Sequence, residues 1–283
     1  MTTATAAAVA GPRRWSGSLL TVLTWVVGIV FFFPVLWMVL TAFKQEADAY
    51  TDPPSLIFTP TLDQFRALFE PGANAWPYVL NSLFATTVST LLVLALAVPA
   101  AYALAIRPVK KTQDVLFFFI STKMLPVVAV IVPIYVIAGR IGALDNVWTL
   151  VVLYTAMNLP IAVWMMRSFL QEIPGEVLEA ASVDGASLRQ TLLRVILPMV
   201  APGLAATALI CVIFSWNEFF FAVNLTASQA ATVPLFLVGF MTSEGLYWAQ
   251  LSAAATLASL PVVIAGWVAQ KQLVRGLSMG AIK

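Results

Sequence analysis

Long apolar stretches separated by short charged segments set the pattern of this chain. A helix needs about 20 apolar residues to cross the ~30 Å hydrocarbon core of a bilayer, and intervals almost free of charge meet that length near residues 18–42, 77–106, 115–138, 146–166, 199–221 and 247–270. The third interval holds one charge, Lys123, and the fifth carries Glu218 near its far end. The pattern predicts an all-α polytopic fold of six spans over residues 17–270, with tails at residues 1–16 and 271–283. Arg13 and Arg14 precede a charge-free run at residues 15–43, which outlasts the roughly 7–15 apolar residues of a signal peptide and reads as an uncleaved first span.

Two connecting segments exceed simple turns. Residues 44–76 are proline-rich, with a helical pattern in which Thr61 is the candidate N-cap and Leu62, Phe65 and Phe69 share one face. The apolar run Leu235–Met241 is too short to span, so it predicts a re-entrant element or a covered loop.

Composition supports the membrane reading and removes other classes. The chain is 61% hydrophobic and 10% charged, where a soluble domain carries about 25% charged residues. A net charge of +2 without a basic stripe gives no footprint for nucleic acid. One cysteine, Cys211, and no histidine exclude an intrachain disulfide, a His-containing metal site and Ser-His or Cys-His catalysis. Basic residues are retained on the cytoplasmic face. With the N-terminus inside, 11 of the Lys and Arg residues fall on inner segments, against Lys44, Arg66 and Arg140 outside. Both termini are expected in the cytoplasm of a plasma membrane.

The inner segment at residues 168–198 is too long and polar for a simple connection, and long loops with their own structure are usually functional. Its pattern predicts two short amphipathic helices. The first starts at Ile173-Pro174, carries Glu176 and Glu179 near the positive end of its dipole, and presents Val177, Leu178 and Ala181 as an apolar face. Gly185 is placed to end it in a left-handed conformation. Ser187 is the candidate cap of the second helix, in which Leu188, Leu192 and Val195 recur until Pro198.

Within this loop, Glu179-Ala180-Ala181, three residues, Gly185, nine residues and Val195-Ile196-Leu197-Pro198 resemble the EAA signature of the membrane subunits of binding-protein-dependent ABC importers. Val195 stands for the usual Ile, an exchange that keeps an apolar β-branched side chain. The chain is similar to the maltose-type branch over nearly its whole length, from Phe33-Pro34-Val35-Leu36-Trp37 to the ending Gln272–Lys283. Ser121–Pro126, Trp216-Asn217-Glu218 and Glu244–Trp248 look most like permeases for polyols such as sorbitol and mannitol. The resemblance implies a heterodimer with a second permease, two ATPase subunits that bind ATP and Mg, and an extracytoplasmic solute-binding protein. It also implies that Glu179, Ala180, Ala181, Asp184, Gly185, Leu188, Leu197 and Pro198 couple this chain to the ATPase. A helix lying on lipid headgroups is the competing reading, but such helices favour a basic polar face, and the first helix has Glu176, Glu179 and Asp184 with no Lys or Arg. No Gly-Lys dipeptide occurs, so the P-loop sequence is absent and no cofactor is expected in this chain.

Lys123, about nine residues beyond Asp114, is expected roughly 14 Å into the bilayer. A charge there must face protein or water, so Lys123 lines a solute path or sits in a buried pair at the permease interface. Glu218 lines an outer gate or marks the water boundary, and Trp216 and Asn217 beside it are either a polyol-binding pair or boundary residues. Two other classes compete with an importer subunit. A secondary transporter would work without an ATPase and is expected to show internal repeats; an intramembrane enzyme lacks a convincing nucleophile–base pair here.

Overall fold

The computed structural model describes residues 14–106, 110–242 and 245–280. Residues 1–13 and 281–283 of the expected tails, Arg107, and Glu244 of the polyol-like string lie outside the described residues. Thirteen helical segments follow in chain order. They are α1 (Arg14–Ala42), α2 (Glu46–Ala49), α3 (Asp63–Ala67), α4 (Trp76–Ala105), α5 (Thr112–Met124), α6 (Val127–Arg140) and α7 (Val147–Leu170), then α8 (Gly175–Val183), α9 (Leu188–Met199), α10 (Ala201–Trp216), α11 (Phe220–Leu225), α12 (Val233–Val238) and α13 (Trp248–Gly280). The fold is all-α apart from a two-residue antiparallel pairing of Met241–Thr242 with Gly245–Leu246.

Among the described residues, four helices are long and apolar enough to cross a membrane alone: α1, α4, α7 and α13. The third apolar interval is a bent pair rather than one continuous helix, and the fifth begins where α9 of the preceding loop ends. Helices α5 and α6 meet at 86°, and α9 and α10 at 81°, so the count reaches six if each pair forms one span. Proline accounts for the first bend. Leu125 is extended at ψ 124°, because the ring of Pro126 clashes with a helical residue before it. In the fifth interval Pro198 does not end the helix, since Leu197–Met199 stay helical and tolerate proline in a first turn. The break falls at Val200 (φ −93°, ψ 11°). This interval breaks again at Asn217 (φ −90°, ψ 4°), so α10 ends at Trp216 rather than near residue 221.

Helices α4 and α7 form the centre. Ala85, Ala97, Ala101 and Ala162 are fully buried, and small residues let membrane helices approach closely. Helix α10 packs on both, joined by a polar seam: Asn158 donates to the Ser215 hydroxyl at 2.9 Å, which lies 3.4 Å from that of Ser89. Helix α1 is apolar all round, with its hydrophobic stretch exposed until Trp37 and its last turns set against α13.

At one end, Ala42, Leu68, Ala75, Phe240, Ala253 and Ala254 form an apolar cluster. Leu62 rather than Thr61 is the N-cap of α3, with the Thr61 hydroxyl just ahead of it accepting the Asp63 N–H at 3.1 Å; Phe65 joins the cluster and Phe69 packs on Trp76. The run at 235–241 is only partly covered: α12 packs on α4 and α13 and Phe240 is buried, while Val238 and Met241 are exposed. Glu46 accepts the N–H groups of Ala249 and Gln250, satisfying two donors at the start of α13.

Candidate functional site

The opposite end carries the α8–α9 loop. Pro174 is the residue before the first helical turn rather than within it, a one-residue difference of the kind helix termini show. Helix α8 closes on Gly185 at φ +72°. Gly185 donates its N–H to Ser182 O at 3.1 Å and Ala186 donates to Ala181 O at 3.0 Å, the paired closure of a Schellman motif. Ser187 then caps α9 reciprocally, accepting from Gln190 N–H while the Gln190 side chain accepts from Ser187 N–H. Residues Thr191–Ile196 within α9 are π-helical, a geometry frequent at functional sites.

Ile173, Leu178, Leu192 and Leu197 turn inward onto Tyr102, Met166, Leu170 and Ile196 at the ends of α4, α7 and α9. Ala181 is buried. Glu179, Ala180, Asp184, Gly185 and Pro198 are exposed, as are two large apolar side chains, Val183 (87% exposed) and Leu188 (57% exposed); Glu179 and Leu188 border a pocket shared with Pro99 and Tyr102 of α4. The loop is thus fastened by one face and presents the other, acidic and partly apolar. Gly203 of α10 abuts Phe169 of α7 so closely that any Cβ there would overlap the ring, which ties the α9–α10 bend to the end of α7.

The candidate solute residues divide into two locations. Lys123 lies in the last turn of α5, just before the α5–α6 bend; it is exposed on this chain, donates to Met157 O at 3.1 Å and sits 5.5 Å from the Phe214 ring. Trp216 is buried, and its indole N–H donates to Ala258 O of α13 at 2.9 Å. Asn217 is exposed and donates to Ile213 O at 2.8 Å. Glu218 accepts the N–H groups of Phe221 and Ala222, capping α11. These three are adjacent in sequence, and their separate partners arise from the α10 break at Asn217.

One organising residue escaped the sequence reading. Asp145, at φ +51° between α6 and α7, accepts backbone N–H groups from Ala227, Ser228, Gln229 and Ala230 at 2.8–3.2 Å. Asn81 of α4 holds the same segment through Gln229 O and Ala231 O. Burial pushes the Asp145 carboxyl upward, and the four backbone donors outweigh it, so its pKa lies below the ordinary aspartate range. The Asp145-Asn146 pair before an apolar run hints at a cap, and Asn146 does accept the Trp148 N–H; the longer-range role of Asp145 has no local signal.

Residues 97–279 match the profile of the binding-protein-dependent transport system inner membrane component. The chain belongs to that family. It is a membrane permease, not an enzyme. Among relatives of this permease, the diacetylchitobiose uptake system permease protein DasC of Streptomyces coelicolor is 34% identical, over 91% of this chain and 93% of the relative. The trehalose/maltose transport system permease protein MalG of Thermococcus litoralis is 31% identical, over 90% of this chain and 92% of the relative. The permease fold is similar to that of a bacterial ABC transporter involved in import of the acidic polysaccharide alginate, with a TM-score of 0.76 at 22% identity, covering 94% of this chain and 100% of the other.

Proposed function

We propose that this permease forms one half of the translocation path of an ABC importer for a sugar or polyol, and that α8 is its contact with the ATPase. The observation that carries the reading is the asymmetry of the α8–α9 loop. The Schellman closure fixes the end of α8, the apolar cluster holds one face to α4 and α7, and Ala180, Val183 and Asp184 are left exposed. A helix held that way moves as a rigid body, so displacement by a partner transfers to the ends of α4 and α7 and, through Phe169 and Gly203, to α10. ATP and Mg bind to the partner ATPases in this reading, with the loop and both termini cytoplasmic.

The solute reaches the chain from an extracytoplasmic binding protein and passes between this chain and a second permease. Lys123 and Asn217 are exposed on the isolated chain and present donors and an acceptor to hydroxyl groups. Trp216 and Glu218 hold α13 and α11 behind them. The uptake systems for which the two relatives are named support a sugar-like solute; the strings around Lys123 and Trp216 favour a polyol.

A cysteine introduced at Ser187 should resist a membrane-impermeant reagent applied outside intact cells, and ready labelling there would overturn the orientation. Reconstituted importer should show ATPase stimulation with binding protein loaded with sorbitol or mannitol. Stimulation by maltose or chitobiose alone would retain the importer and remove the polyol.

A further inference from the structure

The polar seam between α4, α7 and α10 is only half made. Asn158 donates to the Ser215 hydroxyl at 2.9 Å, but the Ser215–Ser89 contact is 3.4 Å long and Ser89 donates to Thr86 O at 3.2 Å. Hydroxyl hydrogen bonds in proteins are about 2.5–3.0 Å long. Thr86, Ser89 and Thr90, at i, i+3 and i+4, share a buried face of α4. The hydroxyls of Thr86 and Thr90 have no hydrogen-bond partner among the described residues, and neither does the side-chain carbonyl of Asn158.

These groups find no relief where they stand. Thr86, Thr90 and Asn158 are 4%, 6% and 0% exposed and the three oxygens are enclosed, so no water fits beside them. The hydrocarbon core of a bilayer supplies none either. An unpaired polar group in such a setting carries its full desolvation cost. Polar groups one or two turns away on α4 and α10 are well paired: Ser82 accepts the Val233 N–H at 2.8 Å and Thr207 donates to Gly203 O at 2.8 Å. The movable member of the seam is α10, which starts at the Val200 break, 81° from α9, and ends at the Asn217 break. Helices α4 and α7, by contrast, meet through fully buried alanines, Ala85, Ala97, Ala101 and Ala162.

The geometry points to a second register of α10 on the α4–α7 pair, in which Thr86, Thr90 and the Asn158 carbonyl gain the partners that they lack in this one. The inference rests on the proposed transfer of loop movement to α10 and adds a driving force to it. This register is the less satisfied of the two, so α10 is poised to leave it. Packed interfaces hold discrete arrangements rather than a continuum, which lets a half-made seam act as a switch. Replacing a threonine hydroxyl by the methyl of valine removes a bond made only in the second register and holds α10 in this one.

The test is double electron–electron resonance on the assembled importer in lipid nanodiscs, with spin labels at Leu80→Cys of α4 and Ala201→Cys of α10. Both positions are exposed. They lie on opposite sides of the Ser89–Ser215 contact, roughly 35 Å apart along the helices at 1.5 Å per residue. Wild type should show two distances, whose ratio changes when loaded binding protein and ATP with vanadate are added. Thr86→Val and Thr90→Val should each raise the population nearest the distance in this structure by about tenfold, equivalent to about 1.4 kcal/mol, and should raise the melting temperature. Thr86→Ser keeps the hydroxyl and should leave the wild-type ratio. A single distance in wild type under both conditions, an unchanged ratio in either valine variant, or a lower melting temperature in either would overturn the proposal. Two distances whose ratio responds to Thr86→Val and Thr90→Val but not to ATP would retain the seam and remove the coupling through the loop.

Discussion

Replacing Gly185 isolates the contribution of the loop closure. The residue sits at φ +72°, and no heavy atom lies within 4 Å of where a Cβ would stand. Substitution therefore adds no clash, and its cost is conformational. Placing an L-residue in the left-handed region costs roughly 1–2 kcal/mol, with Asn tolerated best and β-branched residues worst. Reduced freedom of the unfolded chain returns about 0.4–1 kcal/mol, which leaves Gly185→Asn near neutral, Gly185→Ala slightly unfavourable and Gly185→Val down by about 1.4 kcal/mol. That last figure is a tenfold rise in molecules whose closure through Gly185 and Ala186 N–H is broken. The assay is the ratio of binding-protein-stimulated to basal ATPase activity in reconstituted vesicles, with hydrogen exchange at Ala186 as the local readout. Coupling should fall in the order Asn, Ala, Val, with exchange rising in parallel. Wild-type coupling in Gly185→Val, or a worse defect in Asn than in Val, would refute the reasoning.

Gly203→Val should lower the melting temperature of the assembled importer by overpacking against Phe169, a cost of about 1–3 kcal/mol, and Phe169→Ala in the same chain should restore most of it. Asp145→Asn should loosen the 227–230 segment, read as faster amide exchange there, because a neutral amide replaces a carboxylate that accepts four backbone bonds. Since the folded pKa of Asp145 is depressed, its contribution is full above the unfolded value of about 4 and is lost as pH falls from there through the folded value; wild type should lose its protection relative to Asp145→Asn as the pH is lowered below about 4. Asn217→Ala should reduce solute uptake with assembly and basal ATPase activity unchanged, whereas Trp216→Phe should loosen α10 from α13 by loss of the bond to Ala258 O, measured as lower thermal stability.

The sequence is most legible where a local rule governs. Gly185 and Ser187 announce their cap geometry because left-handed closure and reciprocal capping are decided within a few residues. Apolar intervals locate the membrane-crossing material for the same reason. They do not locate the bend at Leu125, because proline is common within membrane helices and only packing decides whether it kinks or breaks them; the break at Val200 lies two residues past Pro198, where the loop pattern ends. The bonds that define the candidate site are longer in range. Trp216 to Ala258 spans 42 residues and Asp145 to Ala230 spans 85, and periodicity carries no record of either. Lys44 reads as an ordinary boundary lysine until the fold encloses it.

The central claim, that the outward face of α8 meets the ATPase, is tested most directly by site-specific cross-linking in the assembled importer. Ala180 and Val183 are exposed on that face, and Leu56, 73% exposed, lies beyond α1 on the segment at the opposite end. A photoreactive residue at Ala180 or Val183 should capture the ATPase subunit, with a yield that changes on ATP addition, and one at Leu56 should not. Capture of the ATPase from Leu56, with none from Ala180 or Val183, would contradict the account.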